Sequence, residues 1–454
     1  MGRVRDGAAR LPRHTSGAAR LITALACLPL AAVVAVALAA RVLVGIAFPA
    51  ATADGYEFGT LARNIVEGDG YTYFRDDPVG RLEPDEVGAS GDPLPSAYMP
   101  PAYTYATAAA LEAGGGHAGM VWVLRGLHLA AAAAGVVCVD ALARRLAGRA
   151  AGRLAAVGYA LYPALVYVST QVSSANVYLP LELAVLLGLL WAADAPSWRR
   201  GAVVGLGLGC LCLLRAEAVA LVPLSGLWLV WTSGRDAARR PGLRLAPAAT
   251  LVLAAATLPG LWLVRNAVTF DRPVATITTT GGKNLWIGNH AGASGSQKNF
   301  EIPGPLESEL VDLPAGDDYE VRADGVFLRR ALHDMRDDPL GTVLRDLRKA
   351  VLLLGADLHD PRNLNPLYLG PYLAVAALGV AGFVRWRRAQ APGEVWLVGG
   401  YVAVAVAVPV AFFALARYRL PIEVMLVIFA ASAAATLADM PGVPERRTVS
   451  EVPA

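Results

Sequence analysis

Apolar runs long enough to cross a bilayer recur along the chain. Short arginine-bearing loops alternate between them with two long polar segments. A bilayer core needs about 20 apolar residues of helix. On that measure the pattern predicts ten spans, near 21–48, 119–143, 154–172, 177–193, 201–215, 218–232, 245–264, 366–385, 395–415 and 421–438. The fifth and sixth are the shortest. With the N-terminus inside, Arg144/Arg145/Arg149/Arg153, Arg199/Arg200, Arg235/Arg239/Arg240/Arg244, Arg385/Arg387/Arg388 and Arg446/Arg447 all fall on the cytoplasmic side. That is the asymmetry expected of short inside loops. Both termini are then cytoplasmic, in a multi-pass protein of the cell membrane.

The predicted fold class is therefore an all-α polytopic membrane protein, with about ten transmembrane helices and two long extracytoplasmic loops carrying interfacial amphipathic helices. Residues 1–438 read as a single integral membrane domain. Residues 49–118 form the first outside loop, 265–365 the second, and 439–454 a short polar tail expected to be disordered.

Composition agrees with the spans. The chain is 55% hydrophobic and 17% charged, where a soluble domain carries about a quarter charged residues. The net charge of +3 comes from clusters flanking the spans and gives no reason to expect nucleic acid. Met1–Arg20 carries five arginines before the first apolar run. That run is too long for a signal-peptide core, so it reads as an uncleaved span. Cys27, Cys138, Cys210 and Cys212 all lie in apolar runs, which argues against a disulfide framework. Gly201, Gly205 and Gly209 recur every four residues, as close helix packing requires.

Helical spacing returns inside the two polar segments. After Asp54, the residues Phe58, Leu61, Ala62 and Ile65 share a face, and Gly68 and Gly70 end the helix. Pro100-Pro101 opens a second short helix, Ala102–Glu112, closed by three glycines. Both suit the outer membrane surface. In the second segment residues 265–300 read as loop. Val321, Leu328, Leu332 and Met335 then share one face. Pro339 starts a further helix with Leu340, Val343, Leu344, Leu347 and Val351 on one side. Arg345, Arg348 and Lys349 fall off that side, as in a helix lying among anionic head groups.

Few residues could carry chemistry. Asp54, just outside the first span, can serve as a general base toward an acceptor hydroxyl. With Glu57 three residues on, it also fits a helix-capping box, so both roles stay open. Glu57 is the secondary acidic candidate. The other acidic residues of this loop read as solvated turn positions. Arg63, Arg215, Arg265, Lys283, Arg417 and Arg419 lie at span boundaries. There they could hold a lipid phosphate or merely snorkel. Arg41 and Glu182 fall inside spans, where an ionisable group needs a partner. Tyr56, Tyr103, Trp286 and Asn284 could contact a sugar or an acceptor, and an aromatic belt explains the three rings equally well. The histidines show no metal-ligand spacing, and nothing in the sequence requires a cofactor. A divalent cation stays open without support. There is no P-loop, nucleophile elbow or HExxH motif.

Seven segments together carry a resemblance. They are Asp54–Gly70 after span one, Pro100-Pro-Ala-Tyr103, Tyr159-Ala-Leu-Tyr-Pro163, Arg215, Arg265-Asn266, Gly281-Gly-Lys-Asn-Leu-Trp-Ile-Gly-Asn289 and Arg417-Tyr-Arg-Leu-Pro421. In this order the chain resembles the membrane-embedded glycosyltransferases of the GT-C fold, and in particular the bacterial branch of the protein O-mannosyltransferase and lipid A aminoarabinose transferase superfamily. The resemblance implies transfer of a sugar from a polyprenyl-phosphate carrier to an acceptor hydroxyl on the outer face, with inversion at the sugar carbon. It implies Asp54 as the catalytic acidic residue. The family usually has a second acid directly after the first, and here that position is Gly55. Lys283, Arg265, Arg417, Arg215 and Arg63 are then the lipid-phosphate candidates, and the partners are a polyprenyl-phosphate-linked sugar and the bilayer.

Two rival readings remain: a transporter of a lipid carrier or solute, and a non-catalytic protein of envelope assembly. The absence of matching halves speaks against the first. The second would be favoured if Asp54 and the cations shared no cavity. Sugar, carrier and acceptor are not legible in the sequence.

Overall fold

The computed structural model describes residues 17–48, 56–77, 81, 91–236, 242–296, 302–355 and 364–438. Among these, eight helices are long and apolar enough to cross a membrane. They are α2 (Leu30–Ala47), α5 (His117–Ala147), α8 (Ala175–Asp194), the stretch Ala216–Ser233 leading into α10 (Leu221–Asp236), α11 (Gly242–Thr269), α16 (Pro366–Ala389), α17 (Pro392–Ala411) and Ala416–Leu437, which contains α18 (Leu420–Leu437). The remaining two expected spans are shorter. Residues 154–172 appear as α6 (Arg149–Leu161) and α7 (Pro163–Val168), broken where Pro163 offers no backbone N–H. Residues 201–215 appear as α9 (Trp198–Leu214), 17 residues long. The first expected span is also interrupted, with α1 (Gly17–Ala26) ending before Pro29. The protein is thus an all-α polytopic membrane protein whose only described sheet has two strands.

Small residues set the helix packing, as the glycine stripe predicts. Gly201, Gly205 and Gly209 lie on the backbone of α11 at Pro247, Leu251 and Ala255, where any side chain would overlap a carbonyl oxygen. Gly379 and Gly382 on α16 meet Leu426 and Phe429 of α18 in the same way. Without a hydrophobic force between helices in lipid, this close approach is what holds them.

The first polar segment begins with α3 (Tyr56–Glu67), which buries Phe58, Leu61, Ala62 and Asn64. Gly68 and Gly70 follow at φ 97° and 74°, left-handed conformations that favour glycine. The expected loop after them contains a hairpin instead. β1 (Thr72–Arg75) pairs antiparallel with β2 (Pro93–Pro95), Thr72 opposite Pro95 and Arg75 opposite Pro93. Two prolines in three residues conceal a strand from a propensity reading, but an edge strand tolerates them. Then α4 (Pro101–Gly114) starts at the proline pair and ends at Gly115, φ 64°, as expected.

The second polar segment departs further from expectation. Residues 281–289, read as loop, form helix α12 (Gly281–Asn289). Its cap comes from a distant residue: Asp324 accepts a hydrogen bond from the Lys283 backbone N–H at 3.0 Å. A short helix α13 (Gly304–Val311) precedes α14 (Tyr319–Asp337) and α15 (Pro339–Leu354). On α14 the buried residues are Tyr319, Glu320, Ala323, Val326, Phe327 and Ala331, while Leu328 and Leu332 of the expected apolar face are exposed. On α15 the polarity is turned around: Leu340, Val343, Leu344, Leu347 and Val351 face out, and Thr342, Lys349 and Leu353 are buried. An unpartnered apolar face on a helix beside membrane spans suits a helix resting in the bilayer surface.

Candidate active site

The two polar segments are locked together by one buried carboxylate. Glu320, on the first turn of α14, accepts from the Ser96 hydroxyl at 2.6 Å and the Ala97 N–H at 2.7 Å. The Thr279 hydroxyl bonds it too, and the Thr279 N–H reaches the Ala97 carbonyl at 3.0 Å. Burial pushes its carboxyl up to about 8, against the pull of these donors and of Arg265. Asp324 lies one turn on and is pushed up to about 6, again chiefly by burial.

This lock places Tyr98 beside Lys283. The Lys283 ammonium stands 2.9 Å from the Tyr98 hydroxyl and 5.3 Å from the ring centre. Burial raises the Tyr98 phenol, Lys283 draws it back down, and the Glu57 carboxylate pushes it up again. Lys283, on α12, is the group that bonds this hydroxyl. Tyr73 stacks on Tyr98 at 4.7 Å, and Phe74 packs edge-on at 5.6 Å, so the hairpin walls this group. Asn284, the next residue on α12, is half-buried.

The glycines around Lys283 permit its placement. A Cβ on Gly282 would strike the Asp324 carbonyl, and one on Gly288 the Phe412 carbonyl. Between them α12 is clamped by α14 at one end and by the chain after α17 at the other. Lys349 secures the second contact. Fully buried, its ammonium reaches Asn289 Oδ1 at 3.0 Å, the Phe412 carbonyl at 3.3 Å and Asp346 at 2.8 Å. Burial lowers its pKa and Asp346 opposes that shift.

The five candidate cations occupy three places. Arg265 is close to the Lys283 group but is engaged by the backbone: it donates to the Ser96 carbonyl at 2.6 Å and the Tyr71 carbonyl at 3.3 Å, and lies over Trp262 and Tyr71. Arg215 pairs with Glu217 at 2.6 Å and lies over Tyr178 and Tyr418. Arg417 rests on the same Tyr418 ring and is exposed. Phe413 contacts Tyr418 at 5.7 Å, so the chain that abuts Gly288 runs directly into this second group. From Lys283 to Gly288 is about 8 Å along the helix axis. Arg63 stands apart, pointing from α3 into a cavity against α4 and α5.

Two aromatic candidates serve packing. Tyr103, 1% exposed, bonds His128 at 2.9 Å and meets Phe58 edge-on. Trp286, 2% exposed, stacks on His290 and packs against Phe327. Asp54 lies outside the described residues. α3 starts at Tyr56, whose side chain is likewise outside them. Of the residues within spans, Glu182 accepts from Tyr178 at 2.9 Å, and Arg41 donates to the Ala160 carbonyl at 3.0 Å.

Tyr98, Glu320, Asp324 and Lys349 escape a sequence reading. Glu320 and Asp324, four apart on an otherwise exposed-looking helix, are the one faint signal: an acid pair on a single face. Among the described residues no group of three or more His, Cys, Asp or Glu could hold a metal ion.

Residues 99–262 match the profile of a family described as dolichyl-phosphate-mannose-protein mannosyltransferase. No curated protein matches the chain in sequence. Among solved structures, the chain is similar to the apo oligosaccharyltransferase of Archaeoglobus fulgidus. The TM-score is 0.51 at 13% identity, over 90% of this chain and 50% of that one. It is also similar to the complex of that enzyme with an inhibitory peptide and a dolichol-phosphate, with TM-score 0.52, 12% identity and the same coverage. The chain thus spans about half the length of the solved structures it matches. Eight membrane-crossing helices, the matched profile and this shared architecture together give the chain the GT-C fold of membrane-embedded glycosyltransferases.

Proposed function

We infer that the protein is a glycosyltransferase that moves a sugar from a polyprenyl-phosphate donor to an acceptor hydroxyl at the extracytoplasmic face of the membrane. One observation carries this reading: the Lys283 ammonium on α12 stands 2.9 Å from the hydroxyl of Tyr98, which belongs to the first polar segment, the one that carries the acidic candidates. An acid-bearing segment next to a span and a cation from the other polar segment thus meet at one place, as group transfer from a lipid phosphate requires. The mannosyltransferase profile over residues 99–262 and the dolichol-phosphate in the similar archaeal enzyme support the choice of donor.

The step balances simply. The acceptor oxygen attacks the sugar carbon from the face opposite the phosphate, which inverts it. The carbon–oxygen bond to the phosphate breaks, and the polyprenyl phosphate leaves with the electron pair. The acceptor proton goes to a carboxylate, in our reading Asp54, three residues before Glu57. Lys283 stabilises charge gathering on the departing phosphate, with Arg417 and Arg215 as further cations around Tyr418. Tyr98 holds the Lys283 ammonium in place. Asn284, beside Lys283, is in our reading a contact of the transferred sugar.

The test is sugar transfer by the purified protein in lipid, with polyprenyl-phosphate sugars as donors. The natural chain should transfer, and Asp54→Asn should fold but lose activity. Normal transfer by that variant removes Asp54 from the mechanism. No transfer from any such donor removes the enzyme reading and returns the chain to transport or assembly.

A further inference from the structure

A cavity is lined by α3, the end of α4 and the start of α5. It has a volume of about 460 Å³ and is lined by Gly59, Arg63, Glu67, Glu112, His117 and Met120, among others. That volume lies in the range of small-ligand pockets. Glu57 and Gly59 are two residues apart, so they project from nearly opposite faces of the helix. The cavity therefore opens on the face of α3 away from Glu57.

Its lining is unusual in charge. Arg63, Glu67, Glu112 and His117 are ionisable groups of both signs around one space. Among the described residues none forms an ion pair with another or with a third group. His117 Nε2 is shielded from solvent and has no hydrogen-bond partner. His117 is also the first residue of α5, 31 residues long, and the last turn of α4 lines the same space, so a helix start and a helix end meet there. Arg63 and His117 can hold an anion in this space, and Glu67 and Glu112 can hold a cation.

A helix of 31 residues is about 46 Å long, more than the roughly 30 Å hydrocarbon core, and the cavity lies at one of its ends. Exposed Trp122, with Arg125 4.9 Å from its ring, marks an interfacial belt just below. From Met120 in the cavity wall, Val123 and Leu127 continue the same stripe of α5 and are exposed. A ligand with its polar end in the cavity can lay an acyl chain along them.

We propose that this cavity binds the head group of a phosphatidylethanolamine molecule, with the phosphate at Arg63 and His117 and the ammonium at Glu67 and Glu112. A polyprenyl phosphate or a phosphatidylglycerol offers only negative charge, which the two glutamates repel. A choline head group has no N–H to give them.

The test is native mass spectrometry of the delipidated protein in detergent, titrated separately with phosphatidylethanolamine, phosphatidylglycerol, phosphatidylcholine and undecaprenyl phosphate. The natural chain should bind phosphatidylethanolamine at least about five-fold tighter than the other three, an energy near 1 kcal/mol. Glu67→Gln with Glu112→Gln should erase that preference by strengthening phosphatidylglycerol. Arg63→Gln should weaken both phospholipids alike. All three substitutions are at exposed positions, and unchanged melting confirms that each variant folds. Equal binding of phosphatidylethanolamine and phosphatidylglycerol by the natural chain overturns the proposal. So does tightest binding of undecaprenyl phosphate, or a preference that survives the double glutamate change.

Discussion

Lys349 Nζ stands 3.0 Å from Asn289 Oδ1, although Lys349 belongs to a helix whose leucines and valines face away from the protein. The lysine turns inward because it meets oxygens there: the Asn289 amide, the Phe412 carbonyl and Asp346. Lys349→Met should destabilise the protein by about 1–3 kcal/mol, since it leaves buried acceptors unpaired. Adding Asn289→Leu should cost less than the two single changes summed, because the second change removes one of the orphaned groups. Thermal unfolding of the four proteins in one detergent checks this.

Glu320 predicts a pH dependence with a definite sign. Its carboxyl is raised from 4.5 to about 8 in the folded protein. The protonated form therefore favours folding fully below the unfolded value, and the contribution is lost as pH rises through about 8. Asp324, raised from 3.8 to about 6, acts in the same direction at lower pH. Melting temperature should fall from pH 5 to pH 8.5, and Glu320→Gln should flatten the upper part of that slope. A natural protein that melts at the same temperature across this range contradicts the assignment.

Lys283 and Tyr98 give the activity prediction. Lys283→Met should lower the turnover of sugar transfer by roughly 10²–10³-fold, the usual scale for a lost charge-stabilising donor. Tyr98→Phe keeps the ring under the ammonium but removes the 2.9 Å contact. It should cost less, on the order of 10-fold. Kinetics with a polyprenyl-phosphate sugar would separate the two, and Lys283→Met with unchanged turnover would remove the cation from the reaction.

The glycines of α12 should differ sharply from one another. Gly282→Ala and Gly288→Ala each force a methyl group onto a backbone carbonyl and should destabilise by about 1–3 kcal/mol or more. Gly281→Ala meets open space and should be neutral or slightly stabilising. Melting of the three variants decides it.

The outward face of α15 should touch lipid. Spin labels at Leu347 and Val351, both exposed, should relax strongly with oxygen and weakly with a water-soluble nickel chelate. A label at exposed Asp338, at the start of the helix, should show the opposite.

Much of this architecture is written in the hydrophobic pattern, because spans, glycine stripes and proline starts are local signals. The Gly201/Gly205/Gly209 contact and the boundaries of α3 and α4 follow from spacing alone. What spacing hides is set by distant partners. The helix at 281–289 depends on a cap from Asp324, and the strand at Pro93–Pro95 depends on Thr72–Arg75. The burial of Lys349 depends on Asn289 and Phe412. On α14 two apolar faces compete, and only the packing of Phe327 against Trp286 shows which one turns in. Within the candidate site, Lys283 and Glu57 are visible in the sequence as charges at a boundary, whereas Tyr98, which Lys283 bonds, is not.

The bonds from Glu320 to Ser96 and from the Arg81 side chain to the Leu313 carbonyl join residues 224 and 232 positions apart. At about 5–20 residues per second, the ribosome supplies the later partner roughly 10–45 s after the earlier one. During biosynthesis the hairpin and the Ser96–Tyr98 strand-end must therefore wait unlatched while many spans are inserted behind them. A mutation that weakens Glu320 should then show first as a shortage of mature protein in the cell, through quality control of nascent chains, before any defect is measurable in molecules that have matured.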